Sequence, residues 1–171
     1  MNRYSVTIEL FRKLTYIVYN NFKLIHTKQE FIELVPYSLE EIDYNKYTPL
    51  EEVSYDKFPG ELSYSFELII ENVFQVLVDI SFIKKSLVNF RSMYFFQDAS
   101  YNEIIKLKED VIIPSINSLS NENPWFPFPG MSNDVVFKSY SDKIITINTI
   151  YSSSQENSAI SIYLTDQKYS F

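Results

Sequence analysis

The chain has 171 residues, a formal net charge of −7 and no cysteine. The lack of cysteine excludes disulfide scaffolds, thiolate zinc sites, iron–sulfur clusters and thiol nucleophiles. Two glycines and one histidine are too few for a glycine-rich phosphate-binding loop or an ordinary zinc hydrolase site. We therefore expect a single acidic globular domain over residues 1–171, without a cofactor, in a reducing compartment such as the cytoplasm.

The first 60 residues contain one amphipathic pattern and several helix-start signals. Apolar residues between Val6 and Ile25 predict an N-terminal helix, although the alternation of Val6, Ile8 and Leu10 also permits a short strand. A Ser or Thr followed three residues later by Glu marks a helix start, which predicts short helices over 28–35, 38–44 and 49–56. Charged residues interrupt every apolar run, so we expect no secretory signal and no membrane span.

The longest periodic pattern lies in the middle of the chain. Apolar residues recur at steps of three and four from Leu62 to Tyr94, which is the spacing of one helix face. Acids come near the start of this stretch and bases near its end, the order that a helix dipole favours. The pattern predicts one long central helix over about 62–96. Its expected core residues are Phe66, Ile69, Val73, Leu77 and Ile80.

The remaining residues change from helical to strand-like patterns. A capping box at Ser100 and Glu103 predicts a helix over 101–112. Alternating β-branched and aromatic residues then predict strands over 135–140, 144–151 and 159–165. The expected fold class is α+β, with N-terminal helices over about 1–120 packed on a C-terminal three-stranded antiparallel β-meander over about 134–166.

The acids are concentrated in one segment. Between Glu30 and Glu61 nine acids stand against two bases, so this segment accounts for the whole net charge. Such a surface repels nucleic acid and attracts a cationic protein, although solvation of short surface helices would also explain it. The candidate partner-binding residues here are Glu40, Glu41, Asp43, Tyr44, Tyr47, Glu51, Glu52, Tyr55 and Asp56.

A proline-rich aromatic loop over residues 123–130 is the second candidate for partner binding. Its aromatic residues Trp125, Phe126 and Phe128 alternate with prolines, which stiffens the chain and suits an anchor for a partner. The alternative is that these rings fold inward and fill the junction between helices and sheet. The tripeptide Phe-Pro-Gly occurs at 58–60 and again at 128–130, which we interpret as shared turn chemistry rather than an internal repeat.

Catalytic chemistry has little support in the sequence. A row of Glu67, Glu71 and Asp79 on the predicted long helix could hold a metal or transfer protons, but a solvated polar stripe explains it as well. His26 follows a predicted helix end, where an imidazole interacts with the helix dipole. We expect neither a metal site nor an enzyme.

These observations together favour a protein that covers the surface of another protein. The leading hypothesis is a bacterial inhibitor of the immunity-protein or antitoxin kind, whose acidic surface neutralises a basic partner such as a nuclease toxin. One alternative is an adaptor or phage accessory protein that binds through the aromatic loop. The other is a carboxylate-based hydrolase. Direct binding to nucleic acid or to a membrane is not expected.

Overall fold

The structure of the chain is a computed structural model. The structure describes residues 3–42, 60–68, 75–96, 99–117, 126–127, 135–140, 142–150 and 158–169.

Four α-helices occur in the described residues, two before the first strands and two between the halves of a sheet. The helices are α1 (Arg3–Asn21), α2 (Lys28–Leu34), α3 (Tyr101–Leu107) and α4 (Ile113–Asn117). A 3₁₀ turn over Phe22–Leu24 follows α1, a π-helical segment over Lys108–Ile112 joins α3 to α4, and a second 3₁₀ turn covers Gln167–Tyr169. None of the helices in the described part is long and apolar enough to span a membrane.

In the part of the chain that the structure describes, eight antiparallel strands form one sheet in the order β1-β2-β3-β4-β8-β7-β6-β5. Two meanders therefore meet at the centre, where β4 pairs with β8. The strands are β1 (Leu39–Glu41), β2 (Glu61–Leu68), β3 (Val76–Ile83), β4 (Ser86–Phe96), β5 (Phe126–Pro127), β6 (Val135–Tyr140), β7 (Lys143–Ile150) and β8 (Ser158–Asp166).

The long central helix predicted over 62–96 is wrong, because the described residues of this stretch form β2, β3 and β4. In β3 the apolar residues instead alternate with period two, and Val76, Val78 and Ile80 are buried on one side of the strand. A two-residue turn at Lys84 and Lys85, both with positive φ, reverses the chain into β4. No α-helix could accommodate two successive residues in that conformation.

The predicted C-terminal strands occur, but they do not form a separate three-stranded meander. Strands cover 135–140, 143–150 and 158–166 as expected, and they constitute part of one half of the eight-stranded sheet. The division into a helical part over 1–120 and a β part over 134–166 is therefore wrong. Strands occupy both halves of the chain, because the middle segment joins the same sheet.

Capping signals located two of the short helices correctly. In α2 the backbone N–H of Glu30 donates to Thr27 Oγ1 at 3.1 Å, and in α3 Ser100 and Glu103 form the full capping box. The N-terminal helix is also confirmed as α1. The helix predicted over 38–44 is wrong, because Leu39–Glu41 pairs with β2 as an edge strand. The helix predicted over 49–56 lies outside the described residues.

One hydrophobic core lies between the helices and one face of the sheet. Phe31 of α2 is fully buried there, and its ring centre lies 5.9 Å from that of Phe66 and 6.1 Å from that of Phe90. Of the predicted core residues, Phe66 and Ile80 are buried in it. Leu77 belongs to the opposite face of β3 and is only half-buried, while Ile69 and Val73 lie outside the described residues.

Candidate functional site

The helices that the structure describes all pack on one face of the sheet, and the other face carries none of them. The core contains Val78 and Ile80 of β3 together with α1, α2 and α3 residues. Side chains alternate between the two faces of a strand, so the intervening residues of each strand belong to the second face. We call this second face the open face, and its residues are the candidate site.

An acidic pair stands at one edge of the open face. Glu40 on the edge strand β1 lies directly opposite Glu67 on β2, and Gln75 Nε2 donates to Glu67 Oε1 at 3.4 Å. Glu40 is exposed, and no cation of the described residues forms an ion pair with either carboxylate. Because like charges directly opposite each other destabilise a sheet, this pair is better suited to binding a cation than to stabilising the fold.

The neighbouring predicted residue Glu41 is separated from this pair. Its register partner is Phe66, so it lies on the helical face, and Lys28 Nζ of α2 contacts its Oε2 at 3.1 Å. The same ammonium lies 4.9 Å from the centre of the Tyr64 ring. Of the two predicted acids in β1, Glu40 is therefore available on the open face and Glu41 is already paired.

A polar network occupies the centre of the open face. Arg91 of β4 donates to Asp79 of β3, which also accepts from the Ser65 hydroxyl of β2. On its other side Arg91 Nη1 donates to Tyr163 Oη of β8 at 3.5 Å. Burial by itself would lower the pKa of Arg91, but the hydrogen bond to Tyr163 and the charge of Asp79 outweigh it, so the pKa rises. The guanidinium is a permanent cation held by one carboxylate.

The part of the open face formed by β7 and β8 is uncharged. Thr146 and Asn148 of β7 are paired in register with Tyr163 and Ser161 of β8. Ala159 and Ser161 are fully buried although they belong to this face, and the Ser161 hydroxyl has no hydrogen-bond partner in the described part of the chain. The described open-face residues of these two strands are Ile144, Thr146, Asn148, Ala159, Ser161, Tyr163 and Thr165.

Most of the predicted binding residues fall outside the structural description. Nine of them lie outside the described residues, namely Asp43, Tyr44, Tyr47, Glu51, Glu52, Tyr55, Asp56, Trp125 and Phe128. Of Phe126 only the backbone is described, in β5. The segment 43–59 follows β1, and β5 lies within the aromatic loop. Because β1 and β5 are the two edge strands, about seven strand spacings or roughly 34 Å separate them.

The residues considered for catalysis do not form a cluster in the described part of the protein. Asp79 is engaged with Arg91, Glu67 belongs to the edge pair, and Glu71 lies outside the described residues. The exposed His26 donates through Nδ1 to the Lys85 carbonyl at 2.8 Å and so ties the β3–β4 turn to the segment before α2. Within the described ranges, no group of three His, Asp or Glu side chains is placed to hold a metal ion.

Sequence reasoning missed Arg91, Tyr163 and the pairing of Arg91 with Asp79. A usable signal was present in residues 76–83, where apolar residues occupy every second position. Reading that segment as a strand would have placed Asp79 and Leu77 on a common second face. The partners across the sheet had no such local signal, because they lie 12 and 72 residues apart in the sequence.

Comparisons with known proteins identified no relative of this chain. No protein family, curated protein or solved structure matches this chain.

Proposed function

We propose that this protein is a non-enzymatic inhibitor of the immunity-protein or antitoxin kind, which acts in the bacterial cytoplasm by covering a basic protein such as a nuclease toxin. The observation that carries the proposal is the Glu40–Glu67 pair on the open face of the sheet. Two carboxylates in opposed positions without a described counter-ion cost folding free energy. A cationic side chain of a partner would remove that cost on binding.

The sequence next to this edge also favours a positively charged partner. The connection between β1 and β2 contains Asp43, Glu51, Glu52 and Asp56 against Lys46 and Lys57. The acid-rich segment is thus joined at both ends to the strands that carry the acidic pair. A negative potential concentrated at one edge raises the rate of association with a basic protein through long-range steering.

Inhibition by occlusion requires no proton transfer. The role proposed here therefore makes no use of His26 and treats Glu67 as a contact residue. Acidic mimicry of a nucleic-acid backbone also explains why a basic nuclease is the partner class of choice, since its substrate groove must carry Lys and Arg to bind phosphates. The absence of cysteine suits the reducing conditions of the cytoplasm.

The proposal can be tested with the protein encoded by the reading frame directly upstream. We expect that protein to be toxic when expressed alone and harmless when co-expressed with this chain, and we expect the two purified proteins to form a complex. The variant Glu40→Lys with Glu67→Lys should associate roughly tenfold more slowly and with a flatter salt dependence. The matched control is Glu109→Lys with Asp110→Lys, which makes the same charge change at exposed positions of the π-helical segment.

Two results would contradict the proposal. The acidic edge is not the contact surface if the Glu40 and Glu67 variant associates at the rate of the control. The inhibitor mechanism is wrong if His26→Ala abolishes protection while the variant stays folded and keeps its affinity for the partner. A lost general acid or base would reduce activity about 10²–10⁴-fold, far more than removal of a peripheral contact.

A further inference from the structure

A small cavity lies at the end of the sheet where β7 begins and β8 ends, next to the 3₁₀ turn that follows α1. Phe22 and Leu87, both buried, form its apolar wall, and Ser86 lies beside them. Its volume is about 200 Å³, which is below the ~300–1,000 Å³ of sites for drug-sized ligands. At about 30 Å³ for each water-sized group, the cavity suits a ligand of roughly seven or eight non-hydrogen atoms.

Lys143 and Asp166 both line this cavity, yet they do not pair with each other. They are register partners on β7 and β8, so their side chains leave the same face of the sheet at neighbouring positions. The Lys143 ammonium instead lies 2.8 Å from Asp142 Oδ1 and 5.3 Å from the centre of the Phe22 ring. Because the Lys143 side chain is only 9% exposed, these contacts hold the ammonium inside the protein.

The Asp166 carboxylate has no counter-ion among the described residues. Its Oδ1 accepts from the backbone N–H of Lys168 at 3.0 Å, and none of the described ion pairs includes it. The pKa of Lys23 is raised first by its hydrogen bond to Asp142 and further by the charge of Asp166, so Asp166 faces Lys23 at the cavity. A partly buried carboxylate with a single described hydrogen bond is well suited to accept from the ammonium of a ligand.

The cavity also presents donors for an anionic group. Lys23 Nζ lies 2.9 Å from Asp142 Oδ2, and its side chain is 77% exposed. Since an ammonium has three N–H donors, Lys23 keeps two of them beyond the one directed at Asp142. With Lys143 and Asp166 included, two cations and two carboxylates line the cavity. Its formal charge is therefore zero, with both signs present.

We propose that this cavity binds a free α-amino acid with a small apolar side chain. Asp166 accepts from the ligand ammonium, Lys23 donates to the ligand carboxylate, and the ligand side chain packs against Phe22 and Leu87. A purely anionic ligand meets the two carboxylates and a purely cationic ligand meets the two ammonium groups, whereas a zwitterion pairs with both signs. The cavity is separate from the acidic pair on β1 and β2, and the proposal does not rest on the proposed function.

The experiment titrates the full ¹⁵N-labelled chain with L-valine and with two analogues that each lack one charge. Isobutylamine lacks the carboxylate, and 3-methylbutanoate lacks the ammonium. We expect L-valine to bind with a Kd of about 1 mM, to shift the amide resonances of residues 23, 86 and 166 most, and to raise the melting temperature. Each analogue should bind at least about tenfold more weakly, because it leaves one charged group of the cavity without its partner.

Two variants test which side chains hold the ligand. Asp166→Asn and Lys23→Gln each remove one charged contact and should weaken L-valine binding about tenfold. Asp110→Asn and Lys106→Gln make the same changes at exposed positions distant in sequence and should leave the Kd unchanged. Circular dichroism verifies that all four variants are folded.

Three results would overturn the amino-acid site. The first is that L-valine at about 20 mM, well above the expected Kd, shifts none of the three resonances. The second is that either analogue binds as tightly as L-valine. The third is that the Asp166 and Lys23 variants bind L-valine like their controls. None of these results bears on the inhibitor mechanism, which is tested with a different partner at a different surface.

Discussion

Arg91 and Asp79 lie opposite each other on β4 and β3, and the guanidinium of Arg91 donates a hydrogen bond to the Asp79 carboxylate. The Arg91 side chain is 30% exposed and that of Asp79 is 19% exposed, so the pair is partly desolvated. Arg91 also lies 5.7 Å from the centre of the Tyr163 ring. Through its contact with Tyr163 of β8, Arg91 therefore links Asp79 in the first half of the sheet to the second half.

Removal of one member of this pair should destabilise the protein. Arg91→Met leaves the Asp79 charge without its counter-ion, and we expect a loss of about 1–3 kcal/mol in the free energy of unfolding. Asp79→Asn in the same chain should recover most of that loss, because no isolated charge remains. Urea unfolding of both variants checks this. An Arg91→Met variant as stable as the unmodified protein would show that the pair is screened by solvent.

Truncation at Ile80 and at Leu77 should have very different effects. Ile80 is fully buried against the helices, so Ile80→Ala should cost about 2–5 kcal/mol. Leu77 is half-buried on the open face, so Leu77→Ala should cost less than half as much. Equal losses in urea unfolding would mean that the two faces of β3 are equally buried.

Removal of a buried hydroxyl at Thr149 should stabilise the fold. Thr149 is 6% exposed, and its Oγ1 has no hydrogen-bond partner among the described residues. An unsatisfied buried hydroxyl costs about 1–3 kcal/mol, and valine has the same shape without it. Thr149→Val should therefore raise the free energy of unfolding by about 1 kcal/mol. A lower melting temperature would show that the hydroxyl does find a partner.

The carboxylate of Asp142 should make stability depend on acid pH. Lys143 Nζ lies 2.8 Å from one of its oxygens and Lys23 Nζ 2.9 Å from the other, and hydrogen bonds to Lys143 and Lys23 lower the pKa of Asp142 to about 2. A carboxylate with a lowered pKa in the folded state adds stability above its ordinary pKa of 3.8. That contribution is lost as the pH falls from about 4 towards 2.

Replacement of the Asp142 carboxylate isolates its contribution to the pH dependence of folding stability. Asp142→Asn should lower the melting temperature at pH 7 and have little effect near pH 2. The difference is modest, below about 1 kcal/mol, because the side chain is 44% exposed. Asp110→Asn, at an exposed position of the π-helical segment, is the control. If the Asp142 variant and the unmodified protein differ by the same amount at both pH values, the carboxylate does not stabilise the folded state through its charge.

Short-range features of this protein were predictable from the sequence. The hydroxyl caps of α2 and α3 lie within three residues of the groups they bind, and β6 and β7 are both rich in β-branched and aromatic residues. Such interactions depend on neighbours in the chain, so a pattern of a few residues is enough to identify them. The acidic character of the β1 edge was likewise visible in the composition of residues 30–61.

The identity of residues 61–96 was decided only by the tertiary structure. Strands β3 and β4 carry apolar residues on both faces, such as Val78 in the core and Leu77 and Met93 on the open face. Because both faces of these strands carry apolar residues, apolar positions can be chosen three and four residues apart as easily as two apart. Local periodicity therefore does not distinguish a helix from a strand here. The separation of Glu40 from Glu41 and the pairing of Arg91 with Asp79 depend on which strands lie side by side. That arrangement is set by contacts between residues far apart in the chain, and only the assembled sheet contains it.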